Sequence, residues 1–330
     1  MSWNVYGHEW AVQLLQQHIA GQEVRHAYLF TGPAGVGRRT LALRFAQALN
    51  CPTPLTQGQP CGACRTCEQI ERMQHTDLSV VQAEGPGGTL KVEQVRDLQH
   101  TLSLLPYQAP YRVALLLRFQ EANANAQNAL LKTLEEPPEH VVLLLTADSA
   151  ESLLPTVASR CEVLRLRSLA VAELERLLCD EQHLPAEEAR LLAHLAGGRP
   201  GYALRLHRQP EVLQQRREVL DEMIDLLGAN RRQRFAYVER VYRDKGQLRF
   251  ALETWLSFWR DLLLAASGAS RAPVNLDRQE QIARLAGSLA LPLVFRCTTA
   301  LEQALVGLDD NLNARLQAEV LLLDWPVVQA

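Results

Sequence analysis

The chain has 330 residues, 47% of them hydrophobic and 22% charged, which is typical of soluble globular proteins and leaves room for two or three domains. Its formal net charge of −3 at pH 7 excludes an overall basic footprint for nucleic acid, although a local basic patch is compatible with it. No apolar run approaches the roughly 18 residues of a membrane-spanning helix, and the first residues show no signal-peptide pattern. We therefore expect a cytoplasmic protein with no membrane partner.

Residues 5–21 predict a helix, and residues 26–40 predict a strand, a glycine turn and the start of a second helix. Residues 27–30 form a short apolar and aromatic run that suits a buried strand. The glycines of the turn have the spacing of the phosphate loop GxxxxGK(S/T), whose backbone N–H groups bind the phosphates of a nucleotide. They are Gly32, Gly35 and Gly37.

The two side chains that do the chemistry of a phosphate loop are replaced. Arg38 stands where a lysine would reach the β and γ phosphates, and Arg39 stands where a hydroxyl would bind magnesium. Arginine is longer, planar and forked, so it does not replace a compact ammonium group in a tight loop. Thr40 lies one residue too late to bind the metal. We expect a degenerate loop with no productive ATP or magnesium site.

Four cysteines lie within 17 residues after the second helix, and nine, two and two residues separate them: Cys51, Cys61, Cys64 and Cys67. Two overlapping CxxC steps let thiolates converge on one tetrahedral ion, which is a strong zinc signal. Four cysteine ligands leave no open coordination position, so the spacing predicts a structural zinc, with a redox or catalytic role as the alternative. The isolated cysteines are expected to be buried small residues: Cys161, Cys179 and Cys297.

The next elements predicted are a strand at residues 78–81, a helix at 92–98 and a buried strand at 112–117. In a phosphate-loop ATPase the last of these strands ends in Asp and Glu, which hold magnesium and activate the attacking water. Here residues 117–120 read LRFQ, and the nearest acid, Glu121, falls about four residues late. With the loop lysine, the hydroxyl and both acids missing, we do not expect this chain to hydrolyse ATP by itself.

Residues 126–166 contain NALLKTLEEPP, a predicted strand, LLPT and the triplet SRC. This segment resembles the bacterial clamp-loader subunits of the AAA+ superfamily, as do HAYLF before the glycine loop, Gly7 with His8 near the start, and the four-cysteine insertion. The resemblance covers residues 1 to about 206. It implies an α/β AAA+ nucleotide-binding core, a parallel sheet with flanking helices, that carries the zinc module.

Within that family, the triplet residue Arg160 is implied to be an arginine finger. Each active site of such ring ATPases lies between subunits, and the neighbour of the ATP-holding subunit inserts a guanidinium toward the γ phosphate. The alternative is that Arg160 caps the last turn of residues 153–159 or pairs with a surface carboxylate. Charges in the preceding helix have a similar ambiguity between a solvated face and a subunit or DNA interface: Lys132, Glu135 and Glu136.

From residue 168 onward only helices are predicted. The resemblance implies an AAA+ core at 1–167, with its zinc module at 51–67, a small helical lid at 168–206 and an all-α collar at 207–330. Two apolar stripes with helical spacing mark the collar. They comprise Leu252, Trp255, Leu256, Trp259, Leu262 and Leu263, then Leu312, Leu316, Val320 and Leu323. A basic cluster suits a solvated face, with phosphate binding as the alternative: Arg231, Arg232, Arg234, Arg240 and Arg243.

The missing catalytic side chains predict a chain that hydrolyses no ATP, and the resemblance implies a clamp-loader subunit that lends Arg160 to a neighbouring ATP site. The resemblance implies gamma or tau and delta subunits as partners, with the sliding clamp and primer-template DNA reached through the assembled complex. Two rival functions stay open. One is an autonomous AAA+ ATPase that uses Arg38 in place of lysine, and the other is a zinc-dependent nucleic-acid-binding module.

Overall fold

The computed structural model describes residues 3–85, 88–270, 272–309 and 312–328. The described chain divides into two compact units. The first unit contains residues 1–169 and the segment 199–202, and the second contains 170–198 and 203–330. Within the described ranges, no helix has the length and apolar character needed to cross a membrane.

The first unit is built on a parallel sheet of five strands in the order β2-β3-β4-β1-β5. The strands are β1 (Ala27–Thr31), β2 (Leu78–Val81), β3 (Arg112–Leu116), β4 (Val141–Ala147) and β5 (Glu162–Arg165). Every residue of the three central strands is buried, which explains their continuous apolar sequence. Because successive side chains point to opposite faces, Tyr28 and Phe30 enter one hydrophobic core and Ala27 and Leu29 enter another.

Helices cover both faces of this sheet. The helices of the first unit are α1 (Glu9–Ala20), α2 (Arg38–Asn50), α3 (Arg65–Glu71), α4 (Val92–Leu102), α5 (Ala124–Glu135) and α6 (Pro155–Ala158). A 3₁₀ helix, Phe119–Glu121, follows β3. The first helix was predicted to start at residue 5 but begins at Glu9, because Gly7 takes a positive φ of 75° and the His8 side chain is directed into the core.

A buried ion pair anchors the loop between α4 and β3. Asp77 is fully buried, and its carboxylate accepts hydrogen bonds from the backbone N–H groups of Tyr107, Gln108 and Ala109 at 2.7, 2.8 and 3.0 Å. The guanidinium of Arg112 lies 3.3 Å from the same carboxylate. Burial raises the pKa of Asp77, but these N–H groups and the guanidinium outweigh it, so the pKa lies below its ordinary value.

The remaining elements are all helical. They are α7 (Val171–Gln182), α8 (Ala186–Ala196), α9 (Pro200–Arg208), α10 (Pro210–Gly228), α11 (Arg231–Val241), α12 (Lys245–Ala266), a 3₁₀ helix (Leu276–Arg278), α13 (Gln279–Ser288), α14 (Leu291–Asp309) and α15 (Ala314–Leu323). Of the first predicted stripe, on α12, all but the half-buried Leu263 is buried in the core of the second unit. The second stripe, on α15 and the residue two before it, stays 40–58% exposed.

One arginine of the predicted basic cluster is a core residue. Arg234 is 3% exposed, and its guanidinium donates hydrogen bonds to five backbone carbonyls. Two belong to the end of α10 and three to the chain around the end of α15: Leu226, Leu227, Leu322, Trp325 and Pro326. Burial lowers the pKa of Arg234. The side chain therefore ties the C-terminal segment to α10 and α11.

The parallel sheet with flanking helices and the helical remainder of the chain are confirmed. The division into core, lid and collar at residues 167 and 206 stays a prediction.

Candidate functional site

The glycine turn between β1 and α2 needs its glycines. Gly32, Gly35 and Gly37 have φ values of 141°, 84° and 116°, which other residues rarely adopt. A Cβ at Gly32 would lie 2.3 Å from the carbonyl oxygen of Leu166, so the loop also approaches the chain that leaves β5. The predicted strand, turn and helix are thus in place.

The arginine at the lysine position is engaged with its own chain. Arg38 is buried, and its Nη1 lies 2.7 Å from Oδ1 of Asp148, the residue directly after β4. Gln120, from the 3₁₀ helix after β3, donates a hydrogen bond of 3.0 Å to the other oxygen of Asp148. The backbone N–H of Gly32 donates to the Asp148 carbonyl at 3.1 Å. The guanidinium at the lysine position is therefore paired with a carboxylate of its own chain.

The other two residues predicted for the degenerate loop do not enter this network. Arg39 and Thr40 are exposed in the first turn of α2. The end of β3 is equally poor in metal ligands, since residues 117–120 carry no carboxylate. Glu121 pairs with Nε of Arg118 at 3.1 Å. Among the described residues, neither Arg39 nor residues 117–120 place a hydroxyl or a carboxylate at the positions where a phosphate loop holds magnesium.

The glycine loop is also held by backbone contacts with other segments. The N–H of Gly201 donates to the carbonyl of Gly35 at 2.8 Å, and a Cβ at Gly35 would lie 2.9 Å from that of Tyr202. His8 is buried, and its Nε2 lies 3.0 Å from the carbonyl oxygen of Val36. Burial lowers the pKa of His8, so the ring is neutral at pH 7 and donates from Nε2. The loop is tied to its own chain on two sides.

The four predicted metal ligands converge. Their sulfur atoms lie within 4.8 Å of one another, with Cys51 Sγ 3.6 Å from that of Cys61 and 4.0 Å from that of Cys64. A tetrahedral zinc with Zn–S bonds of about 2.3 Å separates its sulfur ligands by about 3.8 Å. The donor set and its spacing therefore fit zinc, and the S–S distances are too long for disulfides.

Hydrogen bonds to sulfur also prepare the cluster for a cation. The N–H groups of Cys61, Cys64 and Cys67 donate to the sulfurs of Cys51, Cys61 and Cys64, respectively, at 3.3 to 3.4 Å. The hydroxyl of Thr53, followed by the N–H groups of Ala63 and Cys64, lowers the pKa of Cys61 to about 6. Burial raises the pKa values of Cys64 and Cys67. A bound cation would favour all four thiolates.

The predicted finger residue lies on the surface of the first unit, in the turn after α6. Nη2 of Arg160 is 2.7 Å from Oε1 of Glu135, and Nη1 donates a hydrogen bond of 2.9 Å to the carbonyl of Thr156. The side chain is 36% exposed. Both contacts of the alternative interpretation, the helix cap and the carboxylate pair, are therefore present in the single chain.

Asp148 was not predicted as a functional residue. Its signal in the sequence is its position directly after a buried strand, because the carboxyl ends of parallel strands meet at one edge of the sheet. The fold brings this edge to the glycine loop. The pairing with Arg38, 110 positions away, has no local sequence signature.

The comparisons with known proteins match subunits of DNA polymerase III. The family model described as DNA polymerase III, delta subunit, matches residues 7–170. DNA polymerase III subunit delta' of Pseudomonas aeruginosa is 40% identical over 221 residues, which cover 65% of this chain and 66% of that protein. Subunit delta' of Bacillus subtilis is 29% identical over 94% of both chains. DNA polymerase III subunit tau of Escherichia coli is 36% identical over 60% of this chain, but the match spans only 30% of tau.

Proposed function

The chain belongs to the delta' family of DNA polymerase III clamp-loader subunits, and we propose that it is the member of the loader that hydrolyses no ATP itself. The family predicted from residues 126–166 is confirmed. The observation that carries the proposal is the ion pair between Arg38 and Asp148, which stands where the nucleotide phosphates would bind in a working loop.

The physical argument concerns charge. An ATP phosphate could recruit Arg38 only by taking it from Asp148, and the freed carboxylate would then repel the phosphate. No metal ion would offset that repulsion, because Arg39 and residues 117–120 supply no hydroxyl or carboxylate ligand at the expected positions. In this proposal the AAA+ core keeps the loop as a structural turn and has lost the reaction.

The finger role of Arg160 is the second part of the proposal. Its guanidinium carries five N–H donors, and the contacts with Glu135 and Thr156 use two of them. The group is on the surface and can meet a phosphate held by a neighbouring subunit. A finger of this kind is worth about 10³ to 10⁵ in rate.

The test compares ATP hydrolysis, stimulated by clamp and primed DNA, in loaders reconstituted with wild-type chain or with Arg160→Ala. We expect the isolated chain to be inactive, and the variant loader to assemble normally but to lose turnover at one interface. Hydrolysis by the isolated chain would instead show an autonomous ATPase that uses Arg38. An unimpaired variant loader would show that Arg160 only holds the chain together.

The metal proposal is a structural zinc bound by Cys51, Cys61, Cys64 and Cys67. When bound, the ion would order a segment rich in proline and glycine, at a typical gain on the order of 10 kcal/mol in local folding. Metal analysis of protein purified without chelator should give one equivalent of zinc and unreactive thiols. Substoichiometric metal with four freely reactive thiols would refute the site.

Salt-sensitive, zinc-dependent binding of nucleic acid by the isolated chain would favour the rival binding module.

The assembly partners belong to the same proposal. We infer gamma or tau and delta as neighbours, with the sliding clamp and primer-template DNA bound by the complete loader. The exposed apolar stripe on and before α15 supports a contact with other subunits through the collar, because apolar patches of this kind mark interaction surfaces. Core, lid and collar would then divide at residues 167 and 206.

A further inference from the structure

We propose that Glu135 is a positioning residue for Arg160, one that holds the guanidinium ready for the neighbouring subunit's ATP. This inference rests on the proposed finger role and names the group that orients the finger. It starts from the 2.7 Å ion pair between Glu135 Oε1 and Arg160 Nη2.

The carboxylate is carried by a well-anchored helix. Glu135 is the last residue of α5, and Leu130 and Leu134 of the same helix are buried in the core. Gln99 of α4 donates hydrogen bonds of 2.9 Å to the Ala129 carbonyl and to the Thr133 hydroxyl. The position of the carboxylate is thus set by the core of the first unit.

The arginine is carried by a much shorter element. Helix α6 has only four residues, and Val157 is its buried contact with the core. A direct link joins the two elements, since the backbone N–H of Leu154 donates to Oε1 of Gln127 in α5 at 2.8 Å. Glu135 and the base of Arg160 therefore belong to one rigid frame, although the arginine side chain itself is long and flexible.

Two attachments restrict that side chain without burying it. One is the hydrogen bond of 2.9 Å to the Thr156 carbonyl, and the other is the ion pair with Glu135. The side chain of Arg160 is nevertheless 36% exposed, and that of Glu135 is 52% exposed. A solvent-exposed ion pair has little net strength, so a phosphate can displace Glu135 at small cost. Glu135 contributes by restricting the rotamers of Arg160 before the ATP arrives. The finger then loses less conformational entropy in the transition state.

The experiment measures ATP hydrolysis by the reconstituted loader at several ATP concentrations. The rate of the Arg160→Ala loader is subtracted from each rate, and the remaining Arg160-dependent turnover gives kcat and KM. Glu135→Ala should lower that kcat about three- to tenfold, the effect of freeing one long side chain, with KM unchanged. Glu135→Gln keeps an acceptor and should recover part of the loss. Glu139→Ala, which removes a nearby exposed acid, is the matched control and should leave kcat unchanged.

A double-mutant cycle separates positioning from general damage. Glu135→Ala should have no further effect in a chain that already carries Arg160→Ala, because its effect acts through the guanidinium. An equal loss in that background, or a kcat for Glu135→Ala that is unchanged or raised, would overturn the inference while leaving the finger intact. An unimpaired Arg160→Ala loader would overturn the proposed finger role and this inference together.

Discussion

Two arginines of the first unit make the same ion pair in different surroundings. Arg38 and Arg160 each place a guanidinium nitrogen 2.7 Å from a carboxylate oxygen, of Asp148 and Glu135, respectively. The Arg38 side chain is 9% exposed and that of Arg160 is 36% exposed. A short ion pair therefore does not by itself reveal what an arginine does, since burial decides whether the guanidinium can exchange its partner.

A third pair extends the comparison toward the interior. Asp77 and Arg112 are both buried, and the carboxylate also binds three backbone N–H groups. The three pairs thus differ in the burial of the arginine and of its carboxylate partner. Asp77–Arg112 is buried in the interior, Arg38–Asp148 lies at the glycine loop with only the arginine buried, and Arg160–Glu135 lies at the surface. We expect substitutions to affect stability at the buried end of this series and loader activity at the exposed end.

The largest effect should come from exchanging each arginine for lysine in the loader. Lysine keeps the charge but lacks the planar fork, so Arg160→Lys should remove most of a contribution worth about 10³ to 10⁵ in rate. Arg38→Lys should leave ATP turnover unchanged, because under the proposed function the loop that carries Arg38 hydrolyses no ATP. Rates of the two reconstituted loaders check this, and equal losses would remove the functional distinction between the two arginines.

The next effect concerns the interior pair. Asp77→Asn removes a buried charge and leaves the buried Arg112 without its carboxylate partner, which should lower the free energy of unfolding by about 3 to 5 kcal/mol. Urea unfolding followed by circular dichroism measures it.

The pH dependence of that loss follows from the lowered pKa of Asp77. A carboxyl with a depressed folded-state pKa contributes stability above its unfolded-state value, about 3.9, and this contribution disappears as the pH falls through the folded-state value. The difference between wild type and Asp77→Asn should therefore be constant near neutral pH and shrink below about pH 4. A difference that stays constant under acid conditions would contradict the ionised state of Asp77.

The smallest expected effects are changes in the free energy of unfolding, which should differ between the Arg38–Asp148 and Arg160–Glu135 pairs. Arg38→Ala removes a mostly buried hydrogen-bonded cation and should cost about 1 to 3 kcal/mol. Arg160→Ala, at the surface, should change the free energy of unfolding by less than about 0.5 kcal/mol. Denaturant unfolding of the two variants checks the ranking, and a reversed order would show that Arg160 is the structural residue.

The sequence revealed those parts of the molecule that depend on local patterns. Continuous apolar runs located β1 and β3, glycine spacing located the turn before Arg38, and the CxxC steps located thiols that do converge. Each of these signals arises within a few residues.

The partners of the arginines could not be predicted in the same way. Asp148 lies 110 positions from Arg38, and Glu135 lies 25 positions before Arg160, so only the sheet and its helices bring them together. Likewise, helical spacing marked both stripes of the second unit as apolar, but it could not show that Trp255 would be buried and Leu316 exposed.

The hydrogen bonds of Arg234 have a consequence for the order in which the second unit can fold during synthesis. The ribosome produces α11 well before Leu322, Trp325 and Pro326, whose carbonyls the buried guanidinium needs. Until those residues emerge, desolvating the charge is unfavourable, so α11 cannot complete its packing. A nascent chain stalled before Leu322 would therefore keep this part of the second unit open to proteases and chaperones, whatever the state of the parallel sheet translated before it.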